Sequence, residues 1–167
     1  MRKLFTGLGL ALLLAGPGAA ATSPWSDLAW LEGRWTAQGG GGPGQASGGF
    51  SFLPEAGGQV LVRRNFADYP AQGGKPAQRH DDLMVIYHEG PATRATYWDS
   101  EGQTIHYVVT APAPGEAVFV SDDPAGPRFR LSYHRAGEGL QGRFEIAPPG
   151  ARDAFKTYLS WGATRAR

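Results

Sequence analysis

The sequence predicts an all-β protein: an antiparallel up-and-down barrel of about nine or ten strands, with a short N-terminal helix closing one end. Three observations predict it. Ten short runs are rich in Val, Ile, Tyr, Phe and Trp, the residues that suit a pleated, half-buried surface. Clusters of Gly, Pro, Asp and Ser separate these runs at roughly even spacing, which is the rhythm of consecutive hairpins. Only one short stretch, "SPWSDLAWLEG", reads as helix, and nothing after it repeats apolar residues every 3.6 positions.

Residues 1–21 read as a secretory signal peptide. Arg2 and Lys3 precede an apolar run through Leu14, a Gly-Pro-Gly break follows, and the small residues Ala19, Ala20 and Ala21 suit cleavage near Ala21. The run is shorter than the roughly 20 residues that span a bilayer, so no transmembrane segment is expected in the mature chain. The mature domain is then 22–167, exported to the periplasm or beyond. The chain has no Cys, which excludes a disulfide, a reactive thiol, a lipid-modified Cys and a cysteine-ligated metal. Without Arg2 and Lys3, 14 of the 16 basic residues face 15 acidic ones, a balance that gives no electrostatic reason to bind nucleic acid.

In order along the chain, Ser26 or Asp27 is the expected cap of the helix and Gly33 its stop. Strands are expected over "GRWTAQ" (33–38), "GGFSFL" (48–53), "QVLVRRNF" (59–66), "DDLMVIYHE" (81–89) and "ATRATYWD" (92–99). They continue over "QTIHYVVT" (103–110), "EAVFVSD" (116–122), "RFRLSYHR" (128–135), "LQGRFEIA" (140–147) and "AFKTYLSWGATR" (154–165). The loop "QGGGGPGQASGG" lacks the Gly-Lys-Ser/Thr ending of a phosphate loop and opens no helix, so it reads as a flexible connection.

Two hairpins are regular enough to assign a register. Across "AGEG", Tyr133 faces Gly142, Leu131 faces Phe144 and Phe129 faces Ile146. The other face pairs Ser132 with Arg143 and Arg130 with Glu145. A two-residue turn at Ser100-Glu101 pairs Trp98 with Gln103, Thr96 with Ile105 and Arg94 with Tyr107, and leaves Tyr97, Ala95 and His106 on the opposite face. Such mixed faces suit a small barrel with a partly polar lumen.

The helix followed by Gly33-Arg34-Trp35 resembles the calycin superfamily of lipocalin-like barrels. "LAWLEGRW", "YWDSEGQTIHY", "VFVSDD" with "RFRLSY", and "FEIAPPG" are similar to bacterial exported lipocalin-like domains of unknown function, over nearly the whole mature chain. The resemblance implies that Gly33 and Trp35 open the first strand and that a late arginine, Arg165, lies over the Trp35 ring as a structural closure. It implies no ligand: the chain lacks the disulfides and long C-terminal helix of vertebrate-type lipocalins, and has no His after His134 where heme-binding barrels place their ligand.

Candidate chemistry is sparse. His80, His88, His106 and His134 show no paired metal-ligand spacing and read as solvent-facing strand residues; no metal and no cofactor are expected. No Gly-x-Ser-x-Gly elbow occurs, and the pairs Asp81-Asp82 and Asp122-Asp123 lie where turn-forming Asp belongs, so no catalytic residue is assigned. Arg94 and Tyr107 are the candidate polar anchors of a ligand if their shared face is interior; if it looks outward, Arg94 covers the Tyr107 ring, and Tyr133, Phe129 and Phe144 are better placed to face the interior, as core packing or as the lining of a pocket. The expected function is non-enzymatic binding of a small apolar or amphipathic molecule in the lumen. A filled barrel serving as a structural or protein-interaction module is the alternative, ahead of a heme-binding barrel or a barrel enzyme.

Overall fold

The computed structural model describes residues 23–38, 45 and 47–167. The expected signal peptide and most of the first glycine-rich loop lie outside the described residues. The ten strands are β1 (Gly33–Gln38), β2 (Ser47–Glu55), β3 (Val60–Tyr69), β4 (Gln78–Glu89), β5 (Ala92–Asp99), β6 (Thr104–Thr110), β7 (Glu116–Ser121), β8 (Arg128–Ala136), β9 (Gly139–Ala147) and β10 (Lys156–Arg165). Each pairs antiparallel with the next, and β1 pairs with β10, so the sheet closes as an up-and-down barrel consistent with a lipocalin-like fold. Among the described residues no helix is long and apolar enough to cross a membrane.

The expected short helix at the floor is a 3-10 helix with a different cap. Ser26, Leu28, Leu31 and Glu32 each donate their backbone N–H to the carbonyl three residues back, and the segment ends in a 3-10 turn over Ala29–Leu31. Its N-cap is Leu28, with no side-chain cap, so neither Ser26 nor Asp27 fills the role expected of it. The reason lies in the spacing: Trp25, Leu28 and Leu31 recur every third residue, and in a chain wound three residues per turn they stack on one side. All three are buried in the core, and the Trp25 indole N–H donates to the Gly58 carbonyl at 2.9 Å, bolting the plug to the β2–β3 connection. Trp30 is only partly buried and packs at the edge of the same cluster.

The seam between β1 and β10 places Trp35 directly opposite Arg165. The guanidinium carbon lies 4.5 Å from the Trp35 ring centroid, and Arg165 Nη1 donates to the Glu32 carbonyl at 2.7 Å. The Trp35 indole donates in turn to the Leu31 carbonyl at 2.8 Å, so the seam and the plug share one set of contacts. Arg165→Ala is expected to lower unfolding free energy by about 1–2 kcal/mol, the sum of a half-exposed cation-π contact and one charged hydrogen bond. Urea denaturation would check this.

The β8–β9 register is the expected one, from Arg130 against Glu145 to Tyr133 against Gly142. The β5–β6 register is shifted by one residue. Asp99 Oδ1 accepts from the N–H groups of Glu101 and Gln103, and Gly102 takes φ +86°, which makes a three-residue turn in place of the expected two-residue one. A one-residue slip exchanges the faces. Tyr97 therefore faces Ile105, Ala95 faces Tyr107, and Arg94 pairs with Val108 on the outer surface.

Candidate binding site in the barrel lumen

Inward-pointing residues divide the lumen into two storeys. The lower storey, above the plug, is filled: Phe52, Leu61, Met84, Ile86, Phe119 and Tyr133 are completely enclosed. Edge-to-face contacts knit it together, with the Tyr133 ring 5.4 Å from Phe52, 6.2 Å from Phe119 and 6.0 Å from Trp161. The upper storey, toward the β3–β4 and β5–β6 turns, has two unlike walls. On β8–β10 the inward Phe129, Phe144 and Trp161 remain partly exposed, and Phe129 stacks on Phe144 at 5.8 Å. Trp161 rests on Gly142, where any Cβ would run into the indole.

The facing wall, from β3 to β5, is polar. Arg63 pairs with Asp82, and both side chains are almost wholly buried. The Asp82 carboxylate also accepts from Asn65 Nδ2 at 2.8 Å and lies 3.3 Å from His80 Nε2. His80 Nδ1 is 2.8 Å from Glu101 Oε2, and the Tyr97 hydroxyl donates to Asp99 Oδ2 at 3.2 Å. Burial works to lower the Arg63 pKa, but the charge of Asp82 carries it well above the ordinary value. Burial works the opposite way on Asp82, and Arg63, His80 and Asn65 hold it below the usual carboxylate range. Burial pushes the Tyr97 and Tyr107 hydroxyls far above their usual value, so both stay protonated donors.

His80 is raised above its ordinary value by its hydrogen bond to Asp82 and by Glu101, against the opposing pull of burial. A raised histidine stabilises the fold fully below the unfolded imidazole pKa, and that contribution disappears as pH rises through the folded value. Thermal melts between about pH 6 and 9 should therefore show a falling stability step that is absent in His80→Gln. Asp82 contributes oppositely: its share is present above the unfolded carboxylate pKa and is lost as pH falls through its lowered folded value.

The expected site residues fall into two sets. Tyr107, Tyr133, Phe129 and Phe144 all point inward. Arg94 does not join them: on the outer face, its Nε lies 2.7 Å from Glu89 and its Nη1 2.9 Å from Asp122. The arginine inside the barrel is Arg63. Asp82 is likewise a buried strand residue instead of a turn former, because β4 begins at Gln78, three residues before the expected start. The same extension brings His80 to the lumen, whereas His106 and His134 stay exposed. His88 stacks on Trp25 at 4.5 Å beside a floor recess of about 80 Å³, too small for an ordinary ligand. Asp123 behaves as expected of a turn residue, accepting from the Ala125 N–H at 2.8 Å. Among the described residues no group of His, Asp and Glu is arranged to hold a metal ion.

One sequence signal pointed to the polar wall. His80 and Asp82 share the alternation phase of Met84 and Ile86, so a strand carrying those two inward must carry the charges inward as well. Arg63 offered no such signal, since Val60, Val62 and Phe66 alternate against Leu61 and Ala67 and neither face of β3 is clean.

Fold and side chains together define a ten-stranded antiparallel barrel with a filled floor, whose upper half carries a buried ion-pair network on β3 and β4 and partly exposed aromatic rings on β8–β10. No protein-family model matches the chain, and no curated protein does.

Proposed function

We propose that this is an exported, non-enzymatic barrel of the lipocalin-like calycin type that binds a small apolar or amphipathic molecule in its upper lumen. The observation that carries the reading is the pair of unlike walls. Phe129, Phe144 and Trp161 are inward yet partly exposed, in the same barrel interior as the hydrogen-bonding network of Arg63 and Asp82. Ligand sites combine apolar surface with a few fixed polar groups in this way. A neutral solvatochromic dye such as Nile red should bind saturably with blue-shifted emission, and Phe129→Glu should abolish binding while strand circular dichroism is retained. Absence of saturable binding by the wild-type chain would overturn the reading.

Export follows from the leader-like residues 1–21. The chain recovered from outside the cytoplasm should begin at Thr22, as read by N-terminal sequencing; an intact Met1 there would contradict cleavage. One observation favours a second reading, a protein-interaction module: Trp98 on the outer face of β5 is 41 % exposed and lies beside Leu83 across the strand pair. Loss of a partner in Trp98→Ala, with dye binding unchanged, would support it.

A further inference from the structure

Among the described residues, only His80 has a carboxylate against each ring nitrogen: Glu101 Oε2 lies 2.8 Å from Nδ1, and Asp82 Oδ2 lies 3.3 Å from Nε2. An ionised carboxylate can only accept, and a neutral imidazole carries a single N–H. With a neutral ring, one carboxylate would face a nitrogen lone pair. Satisfying both requires the imidazolium, with a proton on each nitrogen. The two acceptors belong to different elements, since Asp82 lies within β4 and Glu101 in the turn between β5 and β6.

Every element around the ring contributes charge or hydrogen bonds. From β3 come Arg63 and Asn65, both held by Asp82. From β5 come Tyr97, whose hydroxyl is 3.5 Å from Nε2, and Asp99, which accepts from that hydroxyl. The turn supplies Glu101, whose other oxygen accepts from the Ser100 hydroxyl at 3.3 Å. Asp82, Asp99 and Glu101 thus stand beside two cations when His80 is charged, and beside Arg63 alone when it is not. The hydrogen bond to Asp82 and the nearby negative charge favour the imidazolium and outweigh burial.

The two carboxylates are not equivalent when a proton leaves. The Asp82 side chain is 4 % exposed, so a donor lost there strands part of a buried charge, whereas Glu101 is 53 % exposed and water can replace its bond. The remaining proton therefore belongs on Nε2, and the Nδ1 lone pair is left against Glu101. Backbone contacts keep the turn itself in place: the Ser100 N–H donates to the Asp81 carbonyl at 2.9 Å, and the Asp81 N–H to Ser100 Oγ at 3.2 Å. What is freed is the Glu101 side chain. It lies at the mouth, where burial, Tyr158 and Glu101 together push the Tyr69 hydroxyl up, and where Tyr158 meets the Phe144 ring edge-on at 6.3 Å.

We infer that His80 is a proton-operated latch at the barrel mouth: its imidazolium holds the Glu101 carboxylate of the β5–β6 turn to the Asp82 carboxylate of β4, and loss of the Nδ1 proton releases Glu101 and leaves the mouth one charge more negative. The latch stands apart from the lumen-binding reading and does not need a bound molecule.

Nitrogen-15 and carbon-13 NMR of the full chain, titrated from about pH 5 to 9, tests it. At the acid end both His80 ring nitrogens should be protonated, and the midpoint should lie above the ordinary imidazole value. Beyond the midpoint Nε2 should keep its proton and Nδ1 should not. The Glu101 carboxyl carbon should move at that same midpoint, far above its own titration, and His80→Gln should abolish this movement. Glu101→Gln, a change at an exposed side chain, should lower the His80 midpoint by about half a pH unit, the worth of a half-exposed ion pair, and leave the Nε2 proton in place. A proton retained on Nδ1 instead of Nε2, a Glu101 carbon that does not follow the imidazole, or a midpoint unchanged in Glu101→Gln would each overturn the latch. Nile red binding by the wild-type chain bears only on the lumen reading, so the two stand or fall separately.

Discussion

Asp82→Asn is expected to lower the unfolding free energy by about 3–5 kcal/mol, the usual consequence of removing one partner from a buried ion pair. The Arg63 side chain is 6 % exposed and Asp82 4 %, so water cannot take over the charge that the substitution leaves behind. Asn65 and His80 would each lose an anionic acceptor at the same time. The size of the loss alone does not isolate the cause, so a second variant is informative. The double substitution Arg63→Met with Asp82→Leu removes both charges and should be less destabilised than Asp82→Asn alone, because no unpaired ion remains. Urea titration of the three chains gives the comparison. A loss below about 1 kcal/mol for Asp82→Asn would mean that Arg63 reaches solvent and that the polar wall is not the sealed network described above.

Gly33→Ala is the other change expected to have a large effect, about 2–4 kcal/mol, from two sources acting at one position. Gly33 has φ +124°, a backbone conformation that L side chains rarely adopt, and the strain would be borne where the plug turns into β1. A Cβ there would also collide with Arg165 Nη1, which lies between the Trp35 ring and the Glu32 carbonyl. The substitution should therefore remove the closure contact together with the backbone's ease. Combined with Arg165→Ala it should cost less than the sum of the two single losses, since the shared contact can be lost only once. Additive losses would separate Gly33 from the seam.

The fold was legible because nearly every hairpin carries its own local signals. Alternation and turn residues located ten strands, and the β8–β9 register followed from a clean apolar face and a short Gly137-Glu138 turn. The plug was legible as a short helix at the floor, but not that it winds as 3-10, because apolar spacing of three and of 3.6 cannot be told apart over eleven residues. The β5–β6 register failed for a similarly local reason: the Asp99 side chain and Gly102 stabilise a turn one residue longer, and the flanking faces were too mixed to reveal the slip.

The site was less legible than the fold. Its aromatic wall could be read, since Phe129, Phe144 and Tyr133 follow from the β8–β9 phase. Its polar wall depends on which way β3 faces, and Arg63 and Arg64 are adjacent, so the sequence cannot say which of them enters the barrel. Closure decides it: Arg63 lies between Phe52 and Met84 in the ladder, and Arg64 points outward to Glu55. Of the two readings of Arg94, the outward one follows from the β5–β6 register, and the arginine beside tyrosine hydroxyls inside the barrel is Arg63.

Whether the upper lumen takes up a small molecule is tested most directly by native mass spectrometry of the chain purified from its own cells without detergent. A reproducible extra mass of a few hundred daltons at one copy per chain is expected, lost or reduced in Phe129→Glu. A chain that folds, melts cooperatively and carries only its own mass in repeated preparations, with Nile red also excluded, would contradict it and leave a barrel filled by its own side chains.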